Sequence, residues 1–96
     1  MKTIITKAIK EMLLIRFHYD GGIRVVEPHC FGVSFKGNSV FRGFQTQGYS
    51  STEKLGWKLF DLDKVENVEY LNEKFEEPRL GYRKNDKGMT RIFIQL

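Results

Sequence analysis

The sequence predicts an α+β protein, mostly β with one amino-terminal helix, built as a small, strongly bent antiparallel β-barrel of five or six strands. Three observations carry that expectation. One stretch near the amino terminus has helical apolar spacing, several short extended segments follow it at fairly regular intervals, and turn residues punctuate them. With 96 residues the chain is expected to form one domain, 1–96, because it is too short for two independent cores. A hydrophobic content of 41% beside 29% charged residues excludes a disordered chain, and eight Phe, four Tyr and one Trp supply the bulk that a small core needs.

The helix is expected over about 3–13, where Ile4, Ile5, Ala8, Ile9, Met12 and Leu13 share one face and Thr3 is the candidate N-cap. The barrel is expected over about 14–73. Its first strand alternates Ile15, Phe17 and Tyr19 against Arg16, His18 and Asp20. Asp20-Gly21-Gly22 then signals a tight hairpin into a second strand from Ile23. Pro28 has no N–H to give a ladder, so Glu27-Pro28 should interrupt that strand at an edge or a bend. "CFGVSF" resumes extended structure, and Lys36-Gly37-Asn38 turns the chain into "SVFRGFQ". A polar loop from Gly48 to Gly56 leads to "WKLFDL", and "KVENVEYL" follows as another strand, ended by Glu76-Glu77-Pro78. A carboxy-terminal extension over about 79–96 reads as an irregular connection and a closing strand, "RIFIQL", suited either to pairing with another subunit or to burial in its own sheet.

Charge is divided along the chain. Between Asp61 and Glu77 seven acids face only Lys64 and Lys74, whereas from Arg79 to Arg91 five cations face Asp86 alone. Such a division suits one phosphate-friendly face on an otherwise solvated protein, the acidic run being the solvated part. No apolar run approaches the ~20 residues of a membrane span and no signal-peptide pattern opens the chain. With Cys30 alone no internal disulfide is possible, so a reducing, cytoplasmic setting is expected and Cys30 is read as core. His18 and His29 lack partners at metal-ligand spacing, and no phosphate loop or nucleophile elbow occurs. The chain is therefore not expected to be an enzyme, nor to need a cofactor.

The order and chemistry of these segments resemble the WYL domain, a family of small Sm-like β-barrels with an amino-terminal helix. The resemblance runs from about Ile4 to Phe75. It rests on Ile4…Ala8-Ile9, on Ile15-Arg16-Phe17-His18-Tyr19, on Arg24-Val25-Val26-Glu27-Pro28, and on Trp57-Lys58-Leu59-Phe60-Asp61-Leu62-Asp63-Lys64-Val65. Where the family's naming tripeptide should fall, this chain has Val40-Phe41-Arg42, so it looks like a divergent, free-standing branch. Small bacterial proteins carrying R-x-x-Q, S-S, G-W-[KR]-L-F and R-x-G-Y pieces are similar at Arg42…Gln45, Ser50-Ser51, Gly56 to Phe60 and, shifted, Arg79 to Tyr82. Family members are usually attached to helix-turn-helix modules of bacterial transcription regulators, and this chain has no room for one. The resemblance implies regulatory ligand binding, with nucleic acid or nucleotides favoured.

On such a barrel Arg42 and Lys58 are expected to lie on hairpin partners, and Arg24 could join them through the bend at Pro28. With Gln45, Ser50 and Ser51 they would form a phosphate-plus-polar pocket, since Arg offers planar paired donors and amides and hydroxyls complete the shell. Phe41, Trp57 or Tyr49 would stack a base. His29, Arg79 and Tyr82 would border the same surface. Each residue has a plainer alternative: Arg24 and Arg42 as solvated pairs with Glu27 or Asp61, Trp57 as an edge-packing residue, Ser50-Ser51 as loop. The partner expected is a nucleotide or single-stranded nucleic acid; the competing expectation is a homo-oligomer joined through strand edges.

Overall fold

The computed structural model describes Met1–Leu96. Ile5, Ala8 and Ile9 recur on one face of Lys2–Glu11, which forms the single helix α1 and buries all three against the sheet. Thr3 does not cap it: Met1 holds the cap position and no side chain bonds there. Met12, left-handed at φ 55°, ends the helix just short of the expected boundary, its N–H reaching back to the carbonyls of Ala8 and Ile9. At ten residues α1 is short, and no helix is long and apolar enough to cross a membrane.

Six strands follow: β1 (Leu13–Tyr19), β2 (Gly22–Ser34), β3 (Ser39–Gly48), β4 (Gly56–Asp61), β5 (Glu66–Lys74) and β6 (Met89–Gln95). The first hairpin forms as its sequence requires. Asp20 and Gly21 both take positive φ (41° and 97°), the two-residue turn that matches strand twist, and Tyr19 faces Gly22 across it. β1 alternates as expected, Ile15 and Phe17 buried and Arg16 and His18 exposed.

β2 does not stop at Pro28. It runs for 13 residues and pairs with β3 along its length. Along its other edge it pairs first with β1, up to Val26, and then with β6, from Cys30 onward. Pro28 sits where one neighbour gives way to the next, beside a bulge in the β2–β3 ladder, so its missing N–H removes no regular ladder bond. The strand is irregular beside Pro28 but is not interrupted there. β6, whose apolar alternation suited two roles, pairs within its own chain.

The strand order is β4-β3-β2-β1-β5, with β6 against β2. β4 and β5 are the two ends of that path, yet a single 3-10 turn at Leu62–Lys64 and Val65 are all that connect them. A few residues, at about 3.5 Å each, cannot span a flat five-stranded sheet, so the sheet must curl until its ends approach. Tyr19 on β1 reaches across the curl, its hydroxyl accepting the Asp61 N–H at 3.0 Å. β4 and β5 are not paired to each other, so the sheet stays open and the expected barrel closure is absent.

Inside the curl Phe17, Phe41 and Phe60 lie within 5.1–5.7 Å of one another, centroid to centroid, with Ile5, Ile9, Ile15 and Val26 around them. Phe41 is wholly buried there, so it is a core ring and not a base-stacking surface. The acidic residues Glu66, Glu69 and Glu73 stand exposed along β5, the solvated face expected of them. Phe17→Ala should lower unfolding free energy by about 3–5 kcal/mol in a denaturant titration, because the enclosing sheet can collapse only partly into the gap. A loss below about 1 kcal/mol would mean the three rings are not the centre of the core.

Candidate functional site

Strand pairing decides which candidate residues can meet. In the β3–β4 ladder Arg42 faces Leu59, Gly43 faces Lys58 and Phe44 faces Trp57. Side chains alternate, so Arg42, Phe44, Trp57 and Leu59 point out of the curl while Phe41, Gln45, Lys58 and Phe60 point into it. Arg24 is also on the inner side: it donates to Gln45 and lies near the rings of Tyr19, Tyr49 and Phe60. The expected convergence of Arg24, Arg42 and Lys58 therefore does not occur. Adjacent strands bring Arg42 and Lys58 close in register but send them to opposite faces.

On the outer side the chain from Phe75 to Gly88 crosses the sheet, held chiefly by contacts to Glu27, His29 and Arg42. Glu27, nearly buried, receives Arg79 through both carboxylate oxygens, at 3.0 and 2.8 Å, and the same guanidinium lies 4.3 Å over the Phe44 ring. Arg42 grips Asp86 in the same paired way, at 2.7 and 3.0 Å, and Asp86 also accepts the Gly88 N–H. Between them His29 is fully buried. Its Nε2 accepts the backbone N–H of Arg79 at 3.0 Å, which leaves the proton on Nδ1, where it is donated to the Glu27 carbonyl at 2.8 Å. Phe75 stacks on the imidazole at 5.2 Å, and Trp57 and Tyr82 flank it at 4.8 and 5.0 Å.

These contacts fix the protonation states. Burial pushes the His29 imidazole below its usual value, outweighing the Glu27 carbonyl and carboxylate. The hydrogen bonds from Arg42 hold the Asp86 carboxyl down, and those to Glu27 hold Arg79 up. Burial pushes Tyr82 up to about 12 and the Cys30 thiol up to about 11. Cys30 is wholly buried 3.6 Å from the Met89 sulfur, a core residue as its sequence context indicated.

The crossing segment encloses a cleft of about 330 Å³ with Arg42 and Trp57 on its sheet side. The Trp57 and Tyr82 rings stack there at an inclination of 30°, their centroids 6.0 Å apart. A side chain at Gly81 would meet the indole nitrogen at 3.1 Å, on a backbone already at φ 93°, so only glycine fits. Arg83, Lys84 and Lys87 stand exposed around the opening, and none of them pairs with a carboxylate. Arg42, Trp57 and Tyr82 are thus brought together as a site.

The other expected residues are not part of it. Arg79 and His29 brace the segment from within, both committed to protein partners. Gln45 is wholly buried, its amide donating to the carbonyls of Gln47 and Tyr49. Lys58 donates to Ser50 at 3.1 Å on the inner side, and Ser51 is an exposed loop residue with no hydrogen bond. Lys84, Asp86 and Lys87 escaped the sequence reading as site residues; the run of cations after Arg79 was the only signal for the two lysines, and Asp86 stood out only as the lone acid within it. No family model, curated protein or solved structure matches this chain.

Because the native imidazole gains a proton less readily than the unfolded one, whose value is near 6.5, the unfolded state binds more protons as pH falls through that value. Stability should therefore decline from about pH 7 to about pH 5 in denaturant titrations, and His29→Phe should flatten that decline. A wild-type profile already flat over this interval would show that His29 does not clamp the crossing segment.

Proposed function

We propose that the protein is a non-catalytic, regulatory ligand-binding module that holds a nucleotide or the end of a single-stranded nucleic acid in the outer cleft. The observation that carries this reading is the Trp57–Tyr82 aromatic pair set beneath Arg83, Lys84 and Lys87, cations with no carboxylate partners. A base laid on the aromatic wall would gain roughly 1–3 kcal/mol, and the phosphates would meet the three cations. The cleft is within the size range of small-molecule sites, about 300–1,000 Å³. Arg42 is paired one-to-one with Asp86 and serves to place the wall, with little charge left for the ligand. Binding is favoured over catalysis because the titratable groups nearest the cleft are held away from neutral titration: Tyr82 high, Asp86 low, His29 with both ring nitrogens occupied. In this reading the curled sheet is an opened relative of the small WYL-type, Sm-like barrel, and its setting is cytoplasmic.

Trp57 is the only tryptophan, so its fluorescence reports on the cleft directly. Mononucleotides and short labelled DNA or RNA strands should quench it, and strand affinity should fall with salt at a log–log slope of about −0.7 per phosphate contacted. Arg83→Glu with Lys84→Glu should weaken binding at least about tenfold and flatten that slope while the melting temperature stays near wild type. Absence of quenching by every member of the panel would sink the proposal.

A further inference from the structure

Arg24 is 4% exposed, and its charge meets no carboxylate. Its one hydrogen bond is a long one, Nη1 to the Gln45 amide oxygen at 3.3 Å. Nε is enclosed and has no partner at all. The rings of Tyr19 and Tyr49, each 5.3 Å from the guanidinium carbon, and of Phe60 at 5.9 Å give it only cation–π contact. A buried guanidinium is ordinarily paired, because the desolvation of its charge is otherwise uncompensated. Here the edge formed by Nε and Nη2, the one that takes an oxyanion side-on, is bare.

The surroundings supply further donors and no competing acid. Lys58 lies on the same inner face, two residues before Phe60, and also lacks a carboxylate partner. Its ammonium donates to the hydroxyls of Ser50 and Thr52 at 3.1 and 3.3 Å, which leaves one proton uncommitted. Gln45 ties the two cations together, accepting from Arg24 and donating to the Tyr49 carbonyl next to Ser50. Tyr49, in the loop after β3, is 46% exposed, and its ring centroid lies 5.3 Å from the guanidinium carbon.

We propose that Arg24 and Lys58 form a second binding site, on the inner face, for a tetrahedral oxyanion of the phosphate class. The anion engages the Nε–Nη2 edge of Arg24 once the Tyr49 ring shifts, and Lys58 supplies the opposing charge. A guanidinium edge and an ammonium together offer more donors than a planar carboxylate can use, which suits a tetrahedral ion with several acceptor oxygens. The site stands independently of the outer cleft, since strand alternation places the two on opposite faces.

The test is thermal unfolding of the full chain in inorganic phosphate, against chloride and against acetate at matched ionic strength. Phosphate should raise the melting temperature above the chloride value, and Arg83→Glu with Lys84→Glu should leave that rise intact. Arg24→Met, which removes the buried charge at similar volume, should melt at or above wild type in chloride and lose the response to phosphate. Lys58→Met should weaken the apparent phosphate affinity at least tenfold. As a readout that needs no variant at Arg24, the Nε–H resonance of Arg24 should move on phosphate titration of wild type. No phosphate-specific rise in wild type, or one that persists in Arg24→Met, overturns the site; an equal rise in acetate overturns its assignment to the phosphate class.

Discussion

β2 is long enough to have two neighbours on one edge, and the arrangement of every other element depends on how it divides them. Its first half holds β1, its second half holds β6, and β3 runs along the opposite side. Pro28 marks the division, since a residue that cannot donate is best tolerated where no continuous ladder passes. The bulge beside it bends the sheet, and the bend puts His29 and Glu27 where the chain from Phe75 to Gly88 must cross. A single uninterrupted neighbour would have left β2 straighter and that crossing without a seat.

The crossing segment has almost no secondary structure of its own, and its few apolar residues explain little of its placement. Leu80 is 93% exposed, while Tyr82 and the Phe75 side chain pack on a histidine rather than in the main core. Paired guanidinium–carboxylate contacts at either end take over the role that apolar burial has elsewhere. Breaking one partner of such a pair leaves a shielded charge uncompensated, which is more damaging than replacing both. The cleft is therefore only as rigid as Glu27, Arg79, Arg42 and Asp86 make it.

Much of the framework was legible in the sequence because it rests on local rules. The first hairpin follows from Asp20-Gly21, the helix from its apolar spacing, and the solvated strand from its glutamates. The site was legible only in part, because it depends on register and on contacts distant in sequence. Phe41 was expected to stack a base, and only its pairing with Phe60 on β4 shows that it enters the core. Arg42 and Lys58 were rightly assigned to neighbouring strands, but a difference of one residue in pairing sends them to opposite faces. Nothing near Glu27 in sequence indicates that it receives Arg79, 52 residues away.

β6 is made from Met89–Gln95, yet it completes an edge of β2 that begins at Cys30. During synthesis the sheet must wait for Met89–Gln95, made long after Cys30, before its central strand is fully paired, a long loop closure of the kind that slows folding. The outer cleft, whose walls come from β3, β4 and the segment leading into β6, is delayed with it. Until then half of β2 offers an unpaired edge with Cys30 and Phe31 on it, the surface a nascent chain would present to chaperones. Ligand capture and escape from that vulnerable state are therefore fastened to the same late event, the docking of the last strand.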